Sequence, residues 1–129
     1  MKKQILSAVV GCFVISNQAF STDNISNCEK GDMTNSIVRQ SNLIGKWKQI
    51  GIEDEGKIIK MKINLIHEFT SDCKVIARMS GEPGRYKYIL EGNNLILTSE
   101  TTGRSYSKKF TKVENNLIIH GGDVFERVE

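Results

Sequence analysis

The sequence contains no apolar run long enough to cross a bilayer. Its longest, 5–15, falls well short of the ~20 residues that a spanning helix needs, so no transmembrane segment is expected. Charge of one sign is equally scarce. The formal net charge is only +3 over 129 residues, and a protein that grips a phosphate backbone carries a far stronger basic excess, so nucleic acid is not an expected partner. Histidine occurs only twice, at His67 and His120, far apart and without clustered acidic partners. A zinc site needs three or four converging ligands, so neither a metal nor any other cofactor is expected. Catalytic signatures are missing as well: there is no nucleophile elbow, no glycine-rich phosphate loop and no His-Glu-x-x-His. The acidic residues are scattered over exposed and turn positions such as Glu53, Asp54 and Glu55, and the chain does not read as an enzyme.

What is present begins with an export signal. Lys2 and Lys3 precede the apolar run, and Ala19-Phe20-Ser21 places small residues where a signal peptidase reads. Residues 1–21 therefore read as a cleaved signal peptide of bacterial type, and the expected location is periplasmic or secreted. A second reading acylates Cys12, in Val9-Val10-Gly11-Cys12, as in a lipoprotein; the apolar run continues past it through Phe13-Val14-Ile15, which favours an uninterrupted signal. Without Lys2 and Lys3 the basic side chains fall from 18 to 16 against 15 acidic ones, a net +1. Asn24-Ile25-Ser26 is a glycosylation sequon that matters only in a eukaryotic secretory pathway.

Cysteine usage agrees with export. Of the three cysteines, Cys12 lies in the signal, leaving Cys28 and Cys73 as a pair bound for an oxidising compartment. A disulfide between them is expected, with two free thiols as the alternative. Closing so long a loop restricts the unfolded chain by roughly 4 kcal/mol, against the ~5–15 kcal/mol by which small domains are stable.

Residues 22–42 form a polar arm whose apolar anchors are Ile25, Met33, Ile37 and Val38, with a short helix expected within 33–40. The pattern changes at Leu43. From there eight strands are expected, over 44–53, 57–70, 74–79, 85–91, 95–99, 104–111, 117–120 and 124–128. The breaks are rich in Gly, Asn, Asp and Ser, with the one proline, Pro83, among them; such residues accept positive φ or bond their own backbone. No connection is long enough for the crossover helix that parallel strands require. Residues 43–129 thus read as one all-β domain, a single up-and-down antiparallel barrel of about eight strands.

Alternation assigns the faces. The inward sets are Ile59, Met61, Ile63, Leu65, His67 and Phe69; Val75, Ala77 and Met79; Tyr86, Tyr88 and Leu90; Leu95 and Leu97; Tyr106, Lys108 and Phe110; and Leu117 and Ile119. His120 reads as a turn residue ahead of Gly121-Gly122. An eight-stranded barrel either fills its interior with side chains or leaves room for one small ligand. Met61, Ile63, Leu65, His67, Tyr86, Tyr88, Tyr106 and Lys108 are the candidate lining. His67 is placed to hydrogen-bond a ligand head group, its ordinary reading being a satisfied core or rim residue. Lys108, with Arg85, Tyr86 and Tyr88, is placed to line a mouth that reads an anionic head group, its ordinary reading being a lysine that snorkels out from a strand end. Lys57, Lys60 and Lys62 give the second strand a basic stripe whose ordinary reading is a solvated face.

Gly45-Lys46-Trp47 in the first strand, the eight-strand meander and Arg127 in the last strand together resemble the lipocalins and the wider calycin group, particularly their short bacterial members. The resemblance implies that Trp47 lies across the closed end of the barrel with Arg127 packed over its ring, a structural pair. It does not extend to the Thr-Asp-Tyr type second signature, and no helix pair separates the early strands as in the fatty-acid-binding branch. The expected function is an exported lipocalin-like binding protein that holds a small hydrophobic or amphipathic ligand. The alternative is a filled barrel that binds or inhibits another protein through its surface or open end.

Overall fold

The computed structural model describes residues 27–128. The signal peptide, Cys12 and the start of the arm lie outside the described residues. Ten strands and one helical turn follow in order: β1 (Glu29–Lys30), α1 (Gln40–Leu43), β2 (Gly45–Asp54), β3 (Lys57–Lys60), β4 (Ile66–Phe69), β5 (Lys74–Arg78), β6 (Gly84–Glu91), β7 (Asn94–Ser99), β8 (Ser105–Val113), β9 (Leu117–His120) and β10 (Asp123–Arg127). Each of β4 to β10 pairs antiparallel with its neighbour in sequence, and β10 returns to β2, which pairs β4. The result is a closed up-and-down antiparallel barrel of eight strands. Among the described residues, closure leaves the ladder without an edge except where β3 adds to β2 and β1 to β6.

The turns alternate between two ends. Those after β2, β5, β7 and β9 sit at one end; those after β4, β6 and β8 share the other with the entry of the chain. At the entry end the core is dense. Trp47, Phe69, Tyr88, Leu90, Leu95, Phe110, Ile118 and Phe125 form one buried cluster that continues towards the far end through Val75 and Leu97, and Leu43, Val38 and Met33 from the arm close over it. Burying each large side chain contributes about 1.5–3 kcal/mol, so this end anchors the fold. Trp47 donates its indole N–H to the Leu43 carbonyl at 2.8 Å, and the Arg127 guanidinium lies 4.2 Å from the centre of its ring. That guanidinium also donates to the carbonyls of Asn42, Ile44 and Asn115 at 2.8–3.0 Å, tying three chain segments together.

The arm is stapled to the same end. Cys28 and Cys73 form the disulfide, with Cα atoms 5.5 Å apart. β1 runs parallel to the last residues of β6, beyond the reach of β5, and the Leu90 amide donates to the Cys28 carbonyl at 2.7 Å. The Gln40 side chain accepts from the Cys28 amide, and Glu29 holds Arg39 and the Gln40 amide. The helix expected within 33–40 instead forms one residue group later, at Gln40–Leu43, because 33–38 is spent on a turn and on the extended approach that buries Met33 and Val38.

Two further expectations need correction. The single strand over 57–70 is broken: Lys60 pairs Gly51 and Ile66 pairs Lys48, so the five residues Met61–Leu65 stand opposite only Gln49 and Ile50. This irregular bulge, wider than the usual two residues against one, lets β3 leave the barrel wall with β2 as a projecting hairpin, and all four β3 residues are exposed. Gly51 sits at the crowded point, where a Cβ would stand 2.2 Å from the Ile59 carbonyl oxygen. In β9 the expected faces are exchanged. Phe110 pairs His120 and Lys112 pairs Ile119, so Thr111 is an extra residue, and Ile118 joins the main buried cluster in place of Leu117 and Ile119, although Ile119 is itself buried beside its partner Val124. His120, expected in a turn, is wholly buried.

Candidate functional site

The two ends of the barrel differ in filling. At the end away from Trp47 a cavity of about 480 Å³ opens, lined by Leu65, His67, Val75, Ala77, Met79, Ser80, Glu82, Gly84, Tyr86, Leu97, Tyr106 and Lys108. Ser80 and Glu82 belong to the β5–β6 turn and mark the mouth; His67, Val75, Leu97 and Lys108 come from inward-facing positions and mark the interior. The volume lies within the roughly 300–1,000 Å³ of small-molecule sites, and the mixture of apolar walls with a few polar groups is of the same kind. Met79 and Tyr106 remain 59% and 49% exposed at the rim.

Five of the eight candidate lining residues meet here: Leu65, His67, Tyr86, Tyr106 and Lys108. Tyr88 does not. It is buried below, edge-on to Phe69 at 5.3 Å, with its hydroxyl 3.5 Å from the Thr70 carbonyl, and burial pushes that hydroxyl up to about 12. Met61 and Ile63 lie elsewhere, carried by the irregular bulge into a separate groove of about 640 Å³ lined by Lys48, Gln49, Ile50, Lys60, Met61, Lys62, Ile63, Asn64 and Glu126. Their alternation matched Leu65 and His67 on paper, but the bulge broke the phase.

Beside His67, at the β9–β10 turn, lies a polar belt that sequence reasoning finds only in part. The Lys108 ammonium reaches Asp123 Oδ2 at 3.1 Å, and Asp123 Oδ1 accepts from Gln49 Nε2 at 3.2 Å. Gln49 is buried, and its amide also donates to the Gly51 carbonyl at 3.3 Å. Gly121 makes room for this lysine: its φ is +59°, and a Cβ there would press on the Lys108 stem at 3.2 Å. Alternation from Trp47 points to Gln49 as an inward polar residue, so that signal was legible. Asp123 was hidden in a turn.

Two imidazoles complete the belt. His67 and His120 both stack on Phe125, at 4.8 and 4.9 Å, and their rings lie near-parallel 6.5 Å apart. Neither nitrogen of His120 has a hydrogen-bond partner among the described residues, at a cost of about 1–3 kcal/mol for a buried polar group. Burial first, and the Lys108 charge next, push His67 down to about 4, while Asp123 pulls the other way. Burial and Lys108, with a contribution from His67, push His120 down to about 3. Both rings are therefore neutral at ordinary pH, and His67, which lines the cavity, offers one donor and one acceptor.

Among the described residues no three His, Cys, Asp or Glu side chains group as metal ligands. In comparisons with known proteins the chain matches no family model, no curated protein and no solved structure.

Proposed function

We propose that this protein is an exported, lipocalin-like carrier that holds one small amphipathic molecule in the open half of its barrel. The observation that carries this reading is the cavity of about 480 Å³, walled by inward apolar side chains and floored by His67, with Lys108 on one side. The Cys28–Cys73 disulfide supports a periplasmic or secreted setting, since such bonds persist in oxidising compartments. Native mass spectrometry of the oxidised protein, offered a lipid extract, tests the reading. A released small molecule of defined mass is expected. A clean unliganded mass, together with no fluorescence rise from the apolar probe N-phenyl-1-naphthylamine, overturns it.

A second reading, a module that binds another protein through its surface, is favoured by the hairpin. Ile58, Ile59 and Met61 are all exposed there, and the outer edge of β3 has no strand partner among the described residues. An open edge with apolar side chains is a template for strand addition, although Lys57 and Lys60 blunt it. Enrichment of one defined protein by the wild type, lost when Ile59 becomes Lys, would move the assignment to this surface.

A further inference from the structure

We propose that the cavity selects an uncharged amphiphile and takes it head-first, with a hydroxyl, carbonyl or amide head seated between His67 and Lys108. This inference rests on the carrier reading and names the ligand class. Its first support is the arrangement of polarity along the cavity. His67 pairs Trp47 of the packed end and so marks the floor, with Lys108 held against Asp123 on one side of the cavity, whereas Ala77, Met79 and Tyr86 line the walls towards the β5–β6 turn. An apolar tail driven to the floor would bury the free hydrogen-bonding groups of His67 and Lys108 without partners; a polar head placed there satisfies them.

The second support is charge balance. Lys108 faces Asp123 at 3.1 Å, both side chains about a third exposed, so the ammonium is already paired where it meets the cavity. Gln49, the other partner of Asp123, is uncharged. The remaining titratable groups that face this pair are His67 and His120, both neutral because burial and the neighbouring lysine disfavour their cations. Among the lining residues described, the one further charged side chain is Glu82. An anionic head would therefore enter an interior with no unpaired cation, past a carboxylate. A cationic head would meet the Lys108 ammonium. An uncharged head disturbs neither, and Lys108 keeps spare donors for it because an ammonium has three and Asp123 accepts one.

Displacement of N-phenyl-1-naphthylamine from the oxidised protein at about pH 8, where a simple carboxylic acid is ionised, reads this directly. The competitors are 1-decanol and decanoate, which share a tail and differ in head. We expect 1-decanol to compete at about tenfold lower concentration, the least that an unpaired charge in a half-enclosed site should impose. Asp123→Asn keeps the shape and an acceptor oxygen but frees the Lys108 charge; it should invert the order, so that decanoate becomes the better competitor. Decanoate competing as well as 1-decanol in the wild type, or an unchanged order in Asp123→Asn, overturns the inference while leaving the carrier reading intact. No uptake of the probe by the wild type removes both. Should Asp123→Asn fail to fold, Lys108→Met serves: it should weaken 1-decanol about tenfold through loss of the donor, and unchanged affinity overturns the head-first placement.

Discussion

The two halves of the barrel are built from the same alternating strands and yet do opposite things. At the entry end Trp47, Phe69, Tyr88, Phe110 and Phe125 fill the bore, the arm closes over it, and Arg127 and the disulfide tie the ends. At the far end Ala77 and Gly84 contribute little volume, Tyr106 and Met79 stand out at the rim, and a cavity of about 480 Å³ remains. The difference teaches that filling is decided by side-chain volume, strand by strand, while the backbone closure is common to both. Stability is concentrated in one half, and the other is free to hold a guest.

The sharpest way to break this comparison is to empty the packed half. Trp47→Ala should cost about 3–5 kcal/mol, and urea denaturation should show either that loss or a chain that no longer folds. A loss below about 1 kcal/mol would mean that the packed end is not the anchor. Reducing Cys28–Cys73, which closes a span of 45 residues, should remove about 4 kcal/mol by the same assay. Because the bond holds the arm to the packed end, reduction should also increase amide exchange in the arm before it does so in β7 and β8.

Acid should act through the belt between the halves. An unfolded histidine takes up its proton near 6.5, whereas His67 and His120 are held down to about 4 and about 3. Between those values the unfolded chain binds more protons than the native one, so stability is full above about pH 6.5 and falls as the pH drops towards 4. His120→Leu should flatten that decline and leave stability at pH 7 unchanged or raised, since the leucine removes two unpaired nitrogens from the core. Denaturation midpoints at several pH values check this, and an equally steep decline in the variant would contradict it.

Smaller effects lie at the two rims. Arg127→Lys keeps the charge but loses the planar fork that bonds Asn42, Ile44 and Asn115, and should cost about 1–2 kcal/mol. Tyr106→Ser, at the open rim, should change stability by less than about 0.5 kcal/mol while weakening uptake of N-phenyl-1-naphthylamine. If Tyr106→Ser destabilised the protein as much as Arg127→Lys, the two ends would not be as unlike as described.

The barrel itself was legible because its turns are punctuated by Gly, Asn and Asp and its strands alternate cleanly. Val75 and Ala77, Tyr86 and Leu90, Leu95 and Leu97 all face as period two requires. What alternation could not reveal was where it lapses. In Met61–Leu65 the one turn-forming residue is Asn64, with no Gly or Pro beside it, so alternation alone carries Met61 and Ile63 to an interior they do not reach. The extra residue at Thr111 likewise turned His120 inward against expectation. The sequence pattern marks the apolar and aromatic positions of the candidate site and half of its polar belt: alternation places Lys108 and His67 inward, whereas Asp123 and His120 sit beside turn residues and Gln49 stands in a strand read for its Trp47.

The division of the barrel is tested most directly by methyl NMR during titration with N-phenyl-1-naphthylamine. The methyl signals of Leu65, Val75, Met79 and Leu97 should move, while those of Leu43, Leu90, Leu95 and Ile118 stay in place. Movement confined to Met61 and Ile63 in the outer groove, or spread through the packed end, would contradict a barrel that is closed and filled at one end and open to a guest at the other.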